Sequence, residues 1–168
     1  EASFCVYILT TYARFGDLRR FWRTSSHLAV DKLSQGGWNL VIRLLIGVND
    51  GLQFLHARHV IHRDIKAANL FLCSHLRRVK IGDLGVARTL GATHSMAQTM
   101  VGTPYYMSPE LVEGQPYNVK SDVWAAGCLL YELMTLKHPF TGSNQAALLV
   151  AIMRAKYEPV ESFGGVRP

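Results

Sequence analysis

Cysteine is scarce in this chain and odd in number. Its three copies, Cys5, Cys73 and Cys128, lie far apart and form no C-x-x-C pair. That excludes a disulfide framework and reads as reduced thiols in an intracellular protein, placed by this reading in the cytoplasm. The seven histidines form no H-E-x-x-H and no Cys/His ladder, so no zinc site is expected. No apolar run reaches the roughly 18 residues of a membrane span. The first residues lack the basic segment of a signal peptide. The chain also lacks an initiator Met and opens directly into strand-like residues, so Glu1 is expected to be an internal position of a longer chain. Internal repeats and low-complexity tracts are missing as well.

What is present is a 168-residue chain, 49% hydrophobic and 18% charged, with a net charge of +6. These values suit one globular domain with its own core. Basic residues gather at Arg19, Arg20 and Arg23 and again at Arg77, Arg78 and Lys80. Solvated surface charge is the plain reading of both clusters. Attraction to acidic substrates, nucleic acid or anionic membrane is the alternative. No aromatic stacking platform or recognised nucleic-acid motif stands beside them, so no nucleic-acid partner is expected.

Ser3 to Thr11 is short, β-branched and aromatic, which predicts a buried strand running into a loop. Asp17 to Trp22 restarts as a short helix. Ser34-Gln35-Gly36-Gly37 breaks the chain. Trp38, Val41, Ile42, Leu45, Val48, Leu52 and Leu55 then recur at helical spacing and predict a long amphipathic helix. Leu70-Phe71-Leu72 and Val79-Lys80-Ile81, flanking a turn, predict a β-hairpin. Residues 83–109 show no period, and a structureless stretch of that length is usually functional. Lys120 to Leu136 is apolar almost all round, as in a buried helix, and Asn144 to Lys156 predicts another amphipathic one.

Chemistry concentrates in residues 62–85. His62-Arg63-Asp64-Ile65-Lys66-Ala67-Ala68-Asn69 fits H-R-D-x-K-x-x-N, and Asp83-Leu84-Gly85 follows across the hairpin. Phosphoryl transfer needs a hydroxyl aligned and relieved of its proton, metal ions on the triphosphate, and a cation near the moving phosphate. Asp64 can take the proton and Lys66 can meet the γ-phosphate. Asn69 and Asp83 offer the hard oxygen ligands that Mg²⁺ prefers. Gly85 permits a sharp turn. Either motif alone also fits a charged surface loop with one hairpin.

These motifs resemble those of the protein kinase superfamily, over residues from about 3 to about 160. Met107-Ser108-Pro109-Glu110 resembles its A-P-E element, with Ser for Ala, and Ser121-Asp122-Val123-Trp124 resembles the start of its buried central helix. The resemblance implies an α+β fold, mainly α with short β-hairpins. Residues 3–13 would be the last N-lobe strand and hinge. Residues 14–168 would be the C-lobe, cut before its final helices, with the N-lobe mostly absent. It implies that Asp122 bonds the catalytic-loop backbone. It implies a Ser/Thr-directed enzyme, because Lys66 follows Asp64 by two and Gly102-Thr103-Pro104-Tyr105-Tyr106 resembles the Ser/Thr substrate segment, whose Thr103 would bridge Asp64 and Lys66. ATP and Mg²⁺ are the implied cofactors, and proteins bearing Ser or Thr the implied partners.

Val101 to Glu110, Gly82 before Asp83, and Phe71 in place of the commoner Leu under adenine resemble the NIMA-related (NEK) kinases. Cytoskeletal or ciliary association is implied by that resemblance alone. Residues 23–40 depart from that family's usual spacing. Alignment of residues 6–18 with the kinase hinge sets Thr10 as gatekeeper, Thr11 and Ala13 as backbone partners of adenine, and Asp17 near the ribose. A plain strand and turn would look the same locally. Arg63 beside Asp64 implies a switch in which a phosphate on Thr99 pairs with the guanidinium, added by an activating kinase or by autophosphorylation; Ser95 and Thr93 are weaker acceptors.

The chain holds no G-x-G-x-x-G loop, no strand Lys for the α- and β-phosphates, and no Arg partner for Glu110 from the final helices. The 168 residues alone are therefore expected to be inactive, as part of an enzyme active when intact. A pseudokinase or interaction scaffold is the rival reading, against which stand Asp64, Asn69 and Asp83, all present.

Overall fold

The computed structural model of the chain describes residues 9–24, 35–73, 78–84, 88–89 and 104–160. Helix α1 (Leu18–Thr24) begins at Asp17, whose Oδ1 accepts the Arg20 N–H at 2.8 Å, an N-cap that satisfies one orphan donor of the first turn. Helix α2 (Gln35–His56) is the long one. It starts before the glycine pair rather than after it, so Gly36 and Gly37 form its first turn instead of a break. Its buried stripe is Val41, Leu44, Val48 and Leu52. Ile42, expected on that stripe, is half exposed, because the helix turns its Leu44 side to the core instead.

Strand β1 (Val60–Ile61) leads into the motif loop and a 3₁₀ turn, Ala67–Asn69. Strands β2 (Leu70–Cys73) and β3 (Arg78–Ile81) pair antiparallel, Leu70 opposite Ile81 and Cys73 opposite Arg78, which is the predicted hairpin. Strand β3 lies against α2 where a side chain is missing: a Cβ on Gly51 would stand 2.7 Å from Ile81 Cδ1. Strand β4 (Arg88–Thr89) pairs with β1, a contact that two residues of pattern could not announce.

Helix α3 (Pro109–Val112) precedes α4 (Val119–Thr135). Asn118 and Ser121 close a reciprocal capping box on α4, and Leu136 ends it in the left-handed conformation. The main core joins α2 to Ala125, Leu129 and Leu133 of α4, with Leu18, Ile65, Ala67, Leu70 and Leu72 between them. Each fully buried Leu there contributes roughly 1.5–3 kcal/mol. A second cluster packs Cys128 and Phe140 on Leu148 and Ile152 of α5 (Gln145–Met153). Helix α5 is shorter than the predicted span, and its exposed side is apolar at Val150 and Met153, so it is not amphipathic.

The strand predicted over 3–11 is not seen in its described part. Residues 9–13 form no ladder, and Leu9, Thr10, Thr11 and Tyr12 are exposed. A strand exists by pairing, and no described strand pairs with this segment. Residues 3–8 lie outside the described set. Among the described residues no helix is long and apolar enough to cross a membrane. Cys73 and Cys128 are free and buried.

Candidate active site

The site is built on the loop between β1 and the 3₁₀ turn. Asp64 is the centre. Lys66 Nζ donates to its Oδ2 at 2.7 Å, and Asn69 Nδ2 donates to the same oxygen at 2.8 Å and to the Asp64 carbonyl at 2.9 Å. The Asp64–Lys66 pair is about one-third exposed, so both groups face the solvent from which a substrate would come. The amide of Asn69 is turned by these bonds so that Oδ1 points its lone pairs elsewhere, the atom a cation could take. Among the described residues no three His, Cys, Asp or Glu side chains cluster to hold a metal. A Mg²⁺ arriving with phosphates and waters needs only one or two protein oxygens, and the side chains of Asn69 and Asp83 offer oxygens of the chemical kind such an ion takes.

Asp83 stands just beyond β3, exposed, with φ +58°, in the left-handed region that costs a non-glycine residue energy. Its neighbour ties it to the loop. The Gly82 N–H donates to the Asn69 carbonyl at 2.9 Å, and the Gly82 carbonyl lies 3.0 Å from His62 Nε2. His62 is fully buried, and its Nδ1 accepts the Asp64 N–H at 3.2 Å, so the ring hydrogen sits on Nε2 and donates to Gly82. One imidazole thereby links Asp64 to the residue before Asp83.

The loop is fastened from below by Asp122, a fully buried carboxylate in the first turn of α4. Its Oδ2 accepts the His62 N–H at 3.0 Å and faces His56 Nε2 at 2.8 Å; its Oδ1 accepts the Arg63 N–H at 3.0 Å and the Tyr117 hydroxyl at 3.1 Å. A buried charge is tolerated only with donors of this kind. Burial, then the Asp122 charge and hydrogen bond, push the Tyr117 hydroxyl far above its ordinary value. His56 and Tyr117 had no signal in the sequence, since one is a lone polar residue ending α2 and the other stands alone just before the N-cap of α4. Arg63 sits at φ +72° with its guanidinium 5.7 Å from the Tyr117 ring centre.

Glu110 accepts a 2.6 Å hydrogen bond from the Ser121 hydroxyl, which is a neutral partner and not the Arg that the resemblance implies for the intact protein. Burial, the largest single influence, raises its carboxyl, but hydrogen bonds from the Ser121 hydroxyl, its own backbone N–H and Ser108 together outweigh that and hold it below the ordinary value. Tyr106 bonds Glu132, and His138 stacks on Tyr105 with ring centres 3.9 Å apart. Burial lowers the His138 imidazole, Glu132 opposes that, and the charge of Arg19 adds to it.

The remaining sequence candidates lie on the stretch before α1 and on β2, or outside the described residues. Phe71 is half-buried on β2, beside Gly82. Asp17 forms an isolated bridge to Phe71 while capping α1. Thr10 and Thr11 are exposed, and the Ala13 carbonyl accepts the Gly16 N–H in a turn. Gly85, Thr99 and Thr103 lie outside the described residues, as do Thr93 and Ser95.

The family model of the protein kinase domain matches residues 2–162. Serine/threonine-protein kinase Nek5 of Homo sapiens is 41% identical over 155 residues, 92% of this chain and 21% of that protein. Serine/threonine-protein kinase Nek4 of Mus musculus is 41% identical over 155 residues, 92% of this chain and 19% of that protein. Serine/threonine-protein kinase Nek8 of Danio rerio is 49% identical over 109 residues, 65% of this chain and 16% of that protein. The chain spans about a fifth of the length of these relatives, or less.

Proposed function

The chain belongs to the protein kinase family and is similar to its NIMA-related serine/threonine members; from that premise we propose that the intact protein transfers the γ-phosphoryl group of ATP to Ser and Thr hydroxyls of other proteins. One observation carries the reading: a single carboxylate, Asp64, held between an ammonium at 2.7 Å and an amide at 2.8 Å on a loop fastened by buried Asp122. Asp64 aligns the acceptor hydroxyl and takes its proton. Lys66, already beside Asp64, meets the negative charge of the transferring group. Asn69 and Asp83 would hold Mg²⁺, which would supply neutralising charge to the triphosphate when bound. The Thr11 and Ala13 backbone takes adenine over Phe71, and Asp17 lies by the ribose. Thr103 bridges Asp64 and Lys66 from the substrate segment. A phosphate on Thr99, placed by another kinase or by the protein itself, pairs with Arg63. Glu110 and Asp122 keep the frame.

The test is phosphotransfer by the full-length protein carrying this chain. Asp64→Asn keeps the shape and the bonds from Asn69 and Lys66 but removes the base. It is expected to lower kcat by about 10²–10⁴ with ATP affinity nearly unchanged. Turnover at the unaltered rate would refute the assignment. The 168 residues alone, tested the same way, are expected to transfer no phosphate.

A further inference from the structure

Helix α1 carries a basic face beside this site. Arg23 stands three residues after Arg20 and four after Arg19, which sets it beside both on one side of a helix, and all three are exposed. With Asp17 and Thr24 they line an open hollow of ≈ 490 Å³. The one carboxylate in that wall, Asp17, already accepts the Arg20 N–H. Among the described residues none of the three guanidinium groups forms an ion pair. The arrangement works against the helix itself. Like charges three and four residues apart repel, and Arg19 and Arg20 in the first turn oppose the positive end of the helix dipole. An anion in the hollow would relieve both.

The helix that lines the hollow also packs beside the motif loop. Helix α1 packs on the 3₁₀ turn Ala67–Asn69 and on β2, next to Lys66 and Asn69. On the other side the charge of Arg19 reaches His138, which stacks on Tyr105 just after the Gly102-Thr103-Pro104 segment. Under the phosphotransfer reading, a peptide whose hydroxyl rests at Asp64 would carry its flanking residues toward this helix. Seven helical residues span roughly 10 Å, the length of about three residues of an extended peptide. Guanidinium forks match carboxylates in geometry as well as charge.

We propose that the arginine face of α1 is a docking subsite for acidic side chains of the protein substrate, so that this enzyme favours acceptor Ser or Thr residues flanked by Asp or Glu. The inference rests on the phosphotransfer reading above. It is tested with full-length protein and three peptides that share one acceptor but carry neutral, acidic or basic flanks. The unaltered protein is expected to show kcat/KM about tenfold higher for the acidic than the neutral peptide at low salt, shrinking as salt rises. The triple variant Arg19→Gln/Arg20→Gln/Arg23→Gln is expected to lose that preference while turning over the neutral peptide within about twofold of the unaltered rate. Reversal to Glu at the same positions is expected to favour the basic peptide. Equal rates on acidic and neutral peptides, or a preference that survives the triple variant, overturn the subsite alone. Failure of the unaltered protein to phosphorylate any peptide, the neutral one included, overturns the phosphotransfer reading and the subsite with it.

Discussion

Adding one methyl group at position 82 is expected to damage the end of the site proposed to take the nucleotide. A Cβ built on Gly82 would stand 2.6 Å from Phe71 Cε2 and 2.8 Å from Cδ2. Carbon atoms rest about 3.5–4.0 Å apart, so the overlap is close to 1 Å. The backbone cannot retreat, because the Gly82 N–H is held by the Asn69 carbonyl at 2.9 Å and its carbonyl by His62 at 3.0 Å. The ring of Phe71 must therefore move, while its own backbone stays paired with Lys80 across the hairpin. Overpacking of this kind costs about 1–3 kcal/mol. For Gly82→Ala that is a fall in Tm of roughly 2–12 °C in a domain of this size. Because the ring that moves is the proposed floor under adenine, KM for ATP is expected to rise about tenfold, well beyond any change in kcat. Phe71→Leu should rescue Gly82→Ala in both assays, since it removes the atoms that collide. If Gly82→Ala leaves Tm and KM unchanged, or if the double variant is no better than Gly82→Ala alone, the steric argument is wrong.

Other perturbations follow from the same framework. Asp122→Ala leaves four donors without their acceptor and should cost about 3–5 kcal/mol, whereas Tyr117→Phe removes one bond and should cost about 0.5–1.5 kcal/mol; chemical denaturation distinguishes the two. Glu110 is depressed in the folded chain, so the unfolded state binds its proton first as pH falls. Its contribution is whole above the ordinary value of 4.5 and fades below it; Glu110→Gln should flatten the acid limb of the stability curve there and leave neutral pH as the less stable condition relative to the unaltered chain. Burial, with Glu132 adding its charge, pushes the Cys128 thiol up to about 12. Iodoacetamide at pH 8 should therefore label Cys128 only after unfolding, as peptide mapping would read out.

The hairpin and the long helix were legible because each carries its period in its own residues, and the buried helix because its run is apolar almost all round. Leu70-Phe71-Leu72 opposite Val79-Lys80-Ile81 needs no outside information. The pairing of Val60–Ile61 with Arg88–Thr89 was not legible, since two residues hold no period and the contact spans the motif loop. Ile42 and Leu44 are equally apolar, so the sequence could not say which side of α2 meets α4. Residues 9–13 have the composition of a strand, but composition does not supply a neighbouring edge. In the site, the order of Asp64, Lys66, Asn69 and Asp83 named the chemistry. The resemblance pointed to Asp122 as the fastening of the loop; left silent were its further partners, because His56, Tyr117 and the His62 ring act through atoms whose meeting depends on how the helices cross.

That fastening makes the geometry at Asp64 a property of the core. Asp122 stands in the first turn of α4, and its acceptors reach the end of α2 through His56, the loop through His62 and Arg63, and the approach to α4 through Tyr117. The same α4 is bound to α2 by Leu129 and Leu133 packing on Val48 and its neighbours. A shift of α4 relative to α2 therefore carries Asp122 away from one set of donors, and the two backbone N–H groups it holds lie immediately before Asp64. His62 extends the linkage, since its ring joins the Asp64 N–H to the Gly82 carbonyl and so reaches the residue that precedes Asp83. The proposed base and metal ligand, nineteen positions apart, are set by one carboxylate and one imidazole. Core substitutions that loosen α2 against α4 should then lower kcat before they unfold the protein, in contrast to surface changes of equal thermodynamic cost.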